Sequence, residues 1–175
     1  MADASVRPAR PDDAAEIGRI QVETWRSAYA DLLPADTLQT VDPAAAGAQW
    51  TAAISAAPAD GLVLVATEND VLVGFASLQE ADAENSGEVG ALVVEPRWGR
   101  RGHGSRLLAA VVDRAREAGL TRLESWVPER DPAMTGLLTS AGWAADGWVR
   151  TLEDGATVVR EVRMHTDISP TPAGP

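Results

Sequence analysis

Three glycines, Gly99, Gly102 and Gly104, fall within six residues in the segment Val93-Val94-Glu95-Pro96-Arg97-Trp98-Gly99-Arg100-Arg101-Gly102-His103-Gly104-Ser105-Arg106-Leu107-Leu108. An apolar run ends at Val94, and an amphipathic run with helical spacing begins at Gly104. Glycine lets a backbone approach a ligand closely and aim successive N–H groups at it. A helix start adds unpaired N–H groups and the positive end of the dipole. Arg97, Arg100, Arg101 and Arg106 lie in the same stretch, opposed within it by Glu95, which reads as a surface residue. On a chain of net charge −11, a local cluster of cations points to a phosphate-bearing ligand. A solvated turn could carry the same glycines; the flanking strand and helix set this segment apart. A dinucleotide fingerprint, Gly-x-Gly-x-x-Gly, is matched at Gly102 and Gly104, but its third glycine falls on Leu107. Glu124 is spaced for a ribose contact, yet helices precede the sheet and the strand entering the loop is not the first.

Composition removes several other chemistries. The chain has 175 residues, a length for one domain, and 45% of them are hydrophobic. It has no cysteine, which excludes disulfides and thiolate catalysis, and its two histidines, His103 and His165, are too few for a histidine-built metal site. All 15 basic residues are arginine, so a P-loop and a Schiff-base lysine are both excluded. The acidic balance argues against sequence-independent binding to nucleic acid. Met1-Ala2-Asp3-Ala4-Ser5 has neither basic residues nor an apolar run, and the longest apolar stretches fall far below the roughly 20 residues of a membrane span. No signal peptide, no membrane partner, no metal and a cytoplasmic location are expected.

These residues need elements to position them. Val6 to Ala9 reads as a first strand, followed by a helix over 15–27, a second opened by Pro34 and a third over 43–57. The apolar run 61–66, a turn at Glu68-Asn69-Asp70 and the run 71–79 read as a hairpin. Residues 88–94 form the strand that feeds the glycine segment. The helix over 104–118 has an apolar stripe of Leu107, Leu108, Val111, Val112 and Ala115, with Gly119 as its C-terminal cap. A strand over 122–127, a helix over 132–141 closed by Gly142, and two strands over 143–152 and 157–165 complete a mixed α/β layer fold. The last two strands are joined by an Asp154-Gly155 turn and offer a pairing edge to a monomer or homodimer. A single domain over 1–166 and a Pro-rich, disordered tail over 167–175 are expected.

The glycine segment resembles the acyl-CoA loop of the GCN5-related N-acetyltransferases, whose motif is Gln/Arg-x-x-Gly-x-Gly/Ala. Gly102 and Gly104 match its glycines, as do Val94-Glu95-Pro96 before and Ser105-Arg106-Leu107-Leu108 after. Gly99 stands where the motif has Gln or Arg, with Arg100 and Arg101 adjacent. The resemblance extends to Trp25-Arg26-Ser27-Ala28-Tyr29, Leu33-Pro34, Leu123-Glu124-Ser125-Trp126-Val127 and Asp131-Pro132-Ala133 through Ala141-Gly142-Trp143. In the last segment Asp131 replaces the family's Asn, Leu138 its Tyr and Trp143 its Phe.

The resemblance implies an α/β fold with a mixed, mostly antiparallel sheet flanked by helices, whose central strands splay apart. It implies acetyl-CoA as acyl donor, an amine acceptor and direct attack with no covalent enzyme intermediate. The pantetheine arm would lie near Leu92, Val93 and Val94. The pyrophosphate would lie on Gly99, Arg100, Arg101, Gly102, His103, Gly104 and Ser105, with Asp131 also at the cofactor. His103 would act more through its backbone than its ring. Trp25, Tyr29 and Trp126 would border the acceptor. Glu88 is the candidate base for the acceptor ammonium. By strand alternation it shares a face with Gly90, Leu92 and Val94. With Leu138 in place of Tyr, thiolate departure would proceed without a side-chain acid there; Tyr29, the only phenol in the chain, is the candidate catalytic acid if one acts. The alternative is a non-catalytic acyl-CoA-binding module.

Overall fold

The computed structural model describes residues 3–28, 30–31, 35–56, 62–154 and 157–170. The order is β1 (Ala4–Pro8), α1 (Ala14–Ala28), α2 (Ala35–Thr40), α3 (Pro43–Ser55), β2 (Leu62–Glu68), β3 (Val71–Glu80), β4 (Ser86–Val94), α4 (His103–Glu117), β5 (Arg122–Pro128), α5 (Pro132–Ser140), β6 (Ala144–Asp154) and β7 (Thr157–Asp167). The strands form one sheet in the order β1-β2-β3-β4-β5-β7-β6. Every neighbouring pair is antiparallel except β4–β5, which is parallel.

Two apolar clusters lie on the two faces of the sheet. Leu107, Leu108, Val111 and Ala115 of α4 pack with Val73, Ala76, Leu78, Val89 and Leu92. On the other face, Ile17 and Ile20 of α1 pack with Val63, Val65 and Phe75. Each fully buried side chain of this size contributes about 1.5–3 kcal/mol of transfer free energy. α1 and α3 cross closely because both carry glycine there. A Cβ at Gly18 would come within 2.6 Å of the Gly47 nitrogen. The helix ends follow ordinary capping chemistry. Asp131 accepts a hydrogen bond from Met134 N at 2.9 Å ahead of Pro132. Gly119 and Gly142 take φ of +82° and +89° beyond α4 and α5, as their placement in the sequence predicts.

β4 departs from simple alternation. Ala91 pairs with Ser77, but Val89 pairs with Leu78, so Gly90 is an extra residue in the ladder. The insertion reverses the pleat. Val89 and Leu92 both join the α4-side cluster, while Ala91 and Val93 pack on the α1 side. Glu88, next to Val89, therefore does not share a face with Leu92 and Val94, contrary to the alternation expected from the sequence.

The chain end also differs. Asp167 closes β7 opposite Arg122, and Ile168 is buried with its N–H bonded to Thr121 O at 2.8 Å. The packed unit thus runs past the boundary expected at 166. Gly155 of the Asp154-Gly155 turn, Leu33-Pro34 and residues 171–175 lie outside the described residues. Among the described residues no helix is long and apolar enough to cross a membrane.

Candidate functional site

Among the described residues the one parallel pair, β4–β5, is short. β4 and β5 are paired at Ser86–Arg122, Gly87–Leu123 and Glu88–Glu124, and there the ladder ends. Ser125 Oγ donates to Val89 O at 2.8 Å across the start of the opening. A cleft of about 560 Å³ runs from this point, with Leu92, Val93 and Val94 on one wall and Ser125 and Trp126 on the other. Its far end is closed by residues 98–100 and 102–105 and its lower wall by Asp131, Ala133, Met134 and Leu137 of the α5 region.

The glycine segment turns tightly before α4. Arg100 and Gly102 both take left-handed backbone, at φ +63° and +83°. The carbonyl of Gly102 accepts from Arg106 N at 3.0 Å and so opens the helix. Gly99, Arg100, Gly102, His103, Gly104 and Ser105 all line the cleft. Arg101 does not; its Nη1 lies 2.8 Å from Glu68 Oε1. The four cations of this stretch are thus not equivalent. Arg97 pairs with Glu95 at 3.0 Å, and Arg106 donates to Arg101 O at 3.1 Å. Arg100 is the one on the cleft wall. Glu95, expected at the surface, is 2% exposed and also paired with Arg19 of α1 at 3.2 Å. It joins the loop to the first helix.

The other end of the cleft is walled by Gln21, Thr24, Trp25 and Ala28 of α1 and by Trp126, Pro128 and Glu161 opposite. Trp25 is 44% exposed. Two guanidinium groups approach the Trp126 ring, Arg150 at 4.5 Å and Arg163 at 5.8 Å from its centroid. Thr24 Oγ1 is buried with no hydrogen-bond partner among the described residues. Glu161 accepts from Arg150 Nε at 2.5 Å through Oε2. Neither Thr24 nor Glu161 stood out in the sequence. Glu161 reaches the cleft because β7, not β6, is the neighbour of β5, an order that local patterning does not encode.

Glu88 sits at the last paired position before the strands part, one residue outside the cleft wall. Its Oε1 accepts from Gln79 Nε2 at 3.3 Å. Leu138 is 1% exposed within the core, and α5 presents Ala133, Met134 and Leu137 to the cleft instead. Tyr29 lies outside the described residues. His165 Nδ1 lies 2.9 Å from Arg122 Nη1, away from the cleft lining.

A sheet that splits beside a glycine turn and a helix start also marks a known family. Residues 19–143 match the Acetyltransferase (GNAT) family. The chain belongs to that family. Mycothiol acetyltransferase of Kineococcus radiotolerans is 42% identical over 87 residues, which are 48% of this chain and 28% of that protein. The chain thus spans only a minor part of that relative. The uncharacterized N-acetyltransferase YuaI of Bacillus subtilis is 27% identical over 134 residues, 74% of this chain and 75% of that one. PaiA N-acetyltransferase of Thermoplasma acidophilum, solved with coenzyme A, superposes with a TM-score of 0.79 at 17% identity, covering 94% of this chain and 99% of that chain. That likeness is one of fold. Within the GNAT fold, this chain's aliphatic α5 leaves the cleft without a phenol from that helix.

Proposed function

We propose that the protein transfers an acetyl group from acetyl-CoA to a primary amine by direct attack. The observation that carries the reading is the cleft itself. It begins where β4 and β5 separate and joins a helix-start glycine turn to a wall of tryptophan and carboxylate. Family membership and the coenzyme A complex of the PaiA relative support acetyl-CoA as donor. The residues present fit it. Gly102 is open toward the cleft and left-handed, so backbone N–H groups at 102–105 are available to a pyrophosphate, with Arg100 beside them. The β4 backbone at Leu92, Val93 and Val94 has no β5 partner and can bond an extended arm. Bound acetyl-CoA supplies an activated acyl carbon.

The chain's own residues then have four tasks. Trp25 and Trp126 hold the acceptor from opposite walls, and the buried Thr24 hydroxyl gives it a polar contact. Glu161, the carboxylate of the acceptor wall, draws the ammonium. Glu88 takes the proton through a water, since its carboxylate stands one residue outside the wall. A free β4 N–H along the cleft stabilises charge that develops on the acyl oxygen. The protein's net charge of −11 favours encounter with a cationic acceptor.

A thiol-release assay with acetyl-CoA and a panel of amines, from polyamines to peptide N-termini, tests cofactor and acceptor together. Thiol release that depends on one class of amine is the expected result. Coenzyme A binding with no turnover of any amine would instead establish a non-catalytic acyl-CoA-binding module.

A further inference from the structure

β2 ends on a buried carboxylate that acetyl transfer does not use. The side chain of Glu68 is 7% exposed and lies beneath the glycine turn. Two side chains of that turn converge on it. Arg101 Nη1 lies 2.8 Å from Oε1, and His103 Nε2 lies 2.7 Å from Oε2. His103 is only 2% exposed. Its ring meets Trp98 at 6.5 Å in an edge-on arrangement, and the Arg101 guanidinium stacks on the same indole at 5.0 Å. Glu68 stands 33 and 35 residues from its two partners in sequence, so the cluster fastens the turn to a distant strand.

The charge state of this cluster follows from its contacts. Burial works against ionisation of Glu68, but the His103 hydrogen bond and the Arg101 charge outweigh it, and the carboxyl is held below its ordinary range. An ionised carboxylate only accepts, so both partners donate, and the His103 proton sits on Nε2. Paired buried charges are a weak source of stability compared with apolar packing. Their directional strength lies in fixing geometry.

The geometry that needs fixing is visible in the backbone. Arg100 and Gly102 are both left-handed, at φ +63° and +83°, and Arg101 lies between them. For Arg100 this conformation is strained and persists only when its surroundings over-determine it. The double kink sends Arg101 to Glu68 and leaves Arg100 and the 102–105 backbone facing the cleft. Tying residues 101 and 103 to one carboxylate locks the glycine between them.

We propose that Glu68 is a positioning residue for the acyl donor. Without touching it, Glu68 holds the N–H groups of the glycine turn in line for the pyrophosphate through Arg101 and His103. This rests on the reading that the turn holds acetyl-CoA.

The test compares wild type, Glu68→Gln and Arg101→Gln as full chains. Coenzyme A affinity is measured by calorimetry. Steady-state constants are measured with acetyl-CoA and with S-acetylpantetheine, which lacks the pyrophosphate. Glu68→Gln should raise Kd for coenzyme A and KM for acetyl-CoA about tenfold, the factor expected for a charge-assisted hydrogen bond, with kcat retained. Catalysis from S-acetylpantetheine should keep its kcat/KM. Arg101→Gln, at a half-exposed site, should show a smaller shift of the same kind, and it carries the test if Glu68→Gln does not fold. Unchanged coenzyme A affinity in the variants overturns the inference, as does an equal loss with S-acetylpantetheine, which would mark a purely structural role. Wild-type protein that binds no coenzyme A overturns the underlying reading instead.

Discussion

Replacing Gly102 by valine should separate the conformation of the turn from the space around it. A Cβ at Gly102 would meet nothing closer than Arg106 Nη1 at 3.5 Å, so the site has room for a side chain. The obstacle is the backbone angle, φ +83°. A β-branched residue held there costs about 1–3 kcal/mol, which the chain avoids by leaving the left-handed region. That movement turns the 102–105 N–H groups away from the cleft. If binding must repay the strain, coenzyme A affinity falls by roughly 5- to 150-fold for this range of energies. Calorimetry gives the affinity, and a thermal melt reports the fold. Gly119→Val is the matched control. Gly119 has φ +82° and nothing within 4 Å of its Cβ position, but it lies beyond the far end of α4. It should lose similar stability and keep its affinity. Gly102→Val binding coenzyme A as wild type does, while melting cooperatively, would refute the reasoning. Equal loss of affinity in Gly119→Val would show that strain anywhere on α4 suffices.

Glu88→Gln should lower kcat about 10²- to 10⁴-fold and flatten the acidic limb of the pH–rate profile, while Glu161→Gln should mainly raise the acceptor KM; full kcat in Glu88→Gln would move the base elsewhere. Leu138→Tyr should lower the melting temperature without raising kcat, because residue 138 is packed in the core and not on the cleft; a rise in kcat would show that the tyrosine reaches the leaving group. The Arg7 hydrogen bond holds the Asp13 carboxyl below its ordinary range, so its stabilisation is complete above the unfolded pKa near 3.9 and is lost as pH falls through the lower folded value. Urea titrations between pH 2 and 6 should show a steeper acid loss in wild type than in Asp13→Asn, and parallel curves would refute it. Gly18→Ala should destabilise by about 1–3 kcal/mol through its clash with the Gly47 backbone, read as a shifted urea midpoint at constant slope.

What could be read from the sequence was local. The apolar stripe of α4, the capping glycines at 119 and 142 and the glycine turn each depend on residues a few positions apart, and each stands where the patterning put it. The β4 pleat was not legible, because the bulge at Gly90 exists only in relation to Ser77 and Leu78 on β3. His103 was read for its backbone, and its ring contact with Glu68 spans 35 residues with no local signal. Glu68 reads as the start of a turn after the apolar run 61–66, whereas it is the last residue of β2 and is buried beneath the glycine turn. Glu95 looked like surface because its partner Arg19 comes from α1. Ile168 looked like tail because the prolines after it outweigh one apolar residue.

The early end of the β4–β5 ladder has a consequence for self-association. A strand with one free side is normally found at the rim of a sheet, where it is a template for another chain. Here β4 presents such a side from the middle of the sheet, since β3 pairs it along the opposite side as far as Val94. The walls of α1, α5 and β5 narrow the approach to that free side. A slender extended molecule can enter and use the backbone groups, whereas a strand already built into another sheet cannot. On the proposed reading, the walls that admit an extended acyl-CoA arm also screen this edge from strand addition.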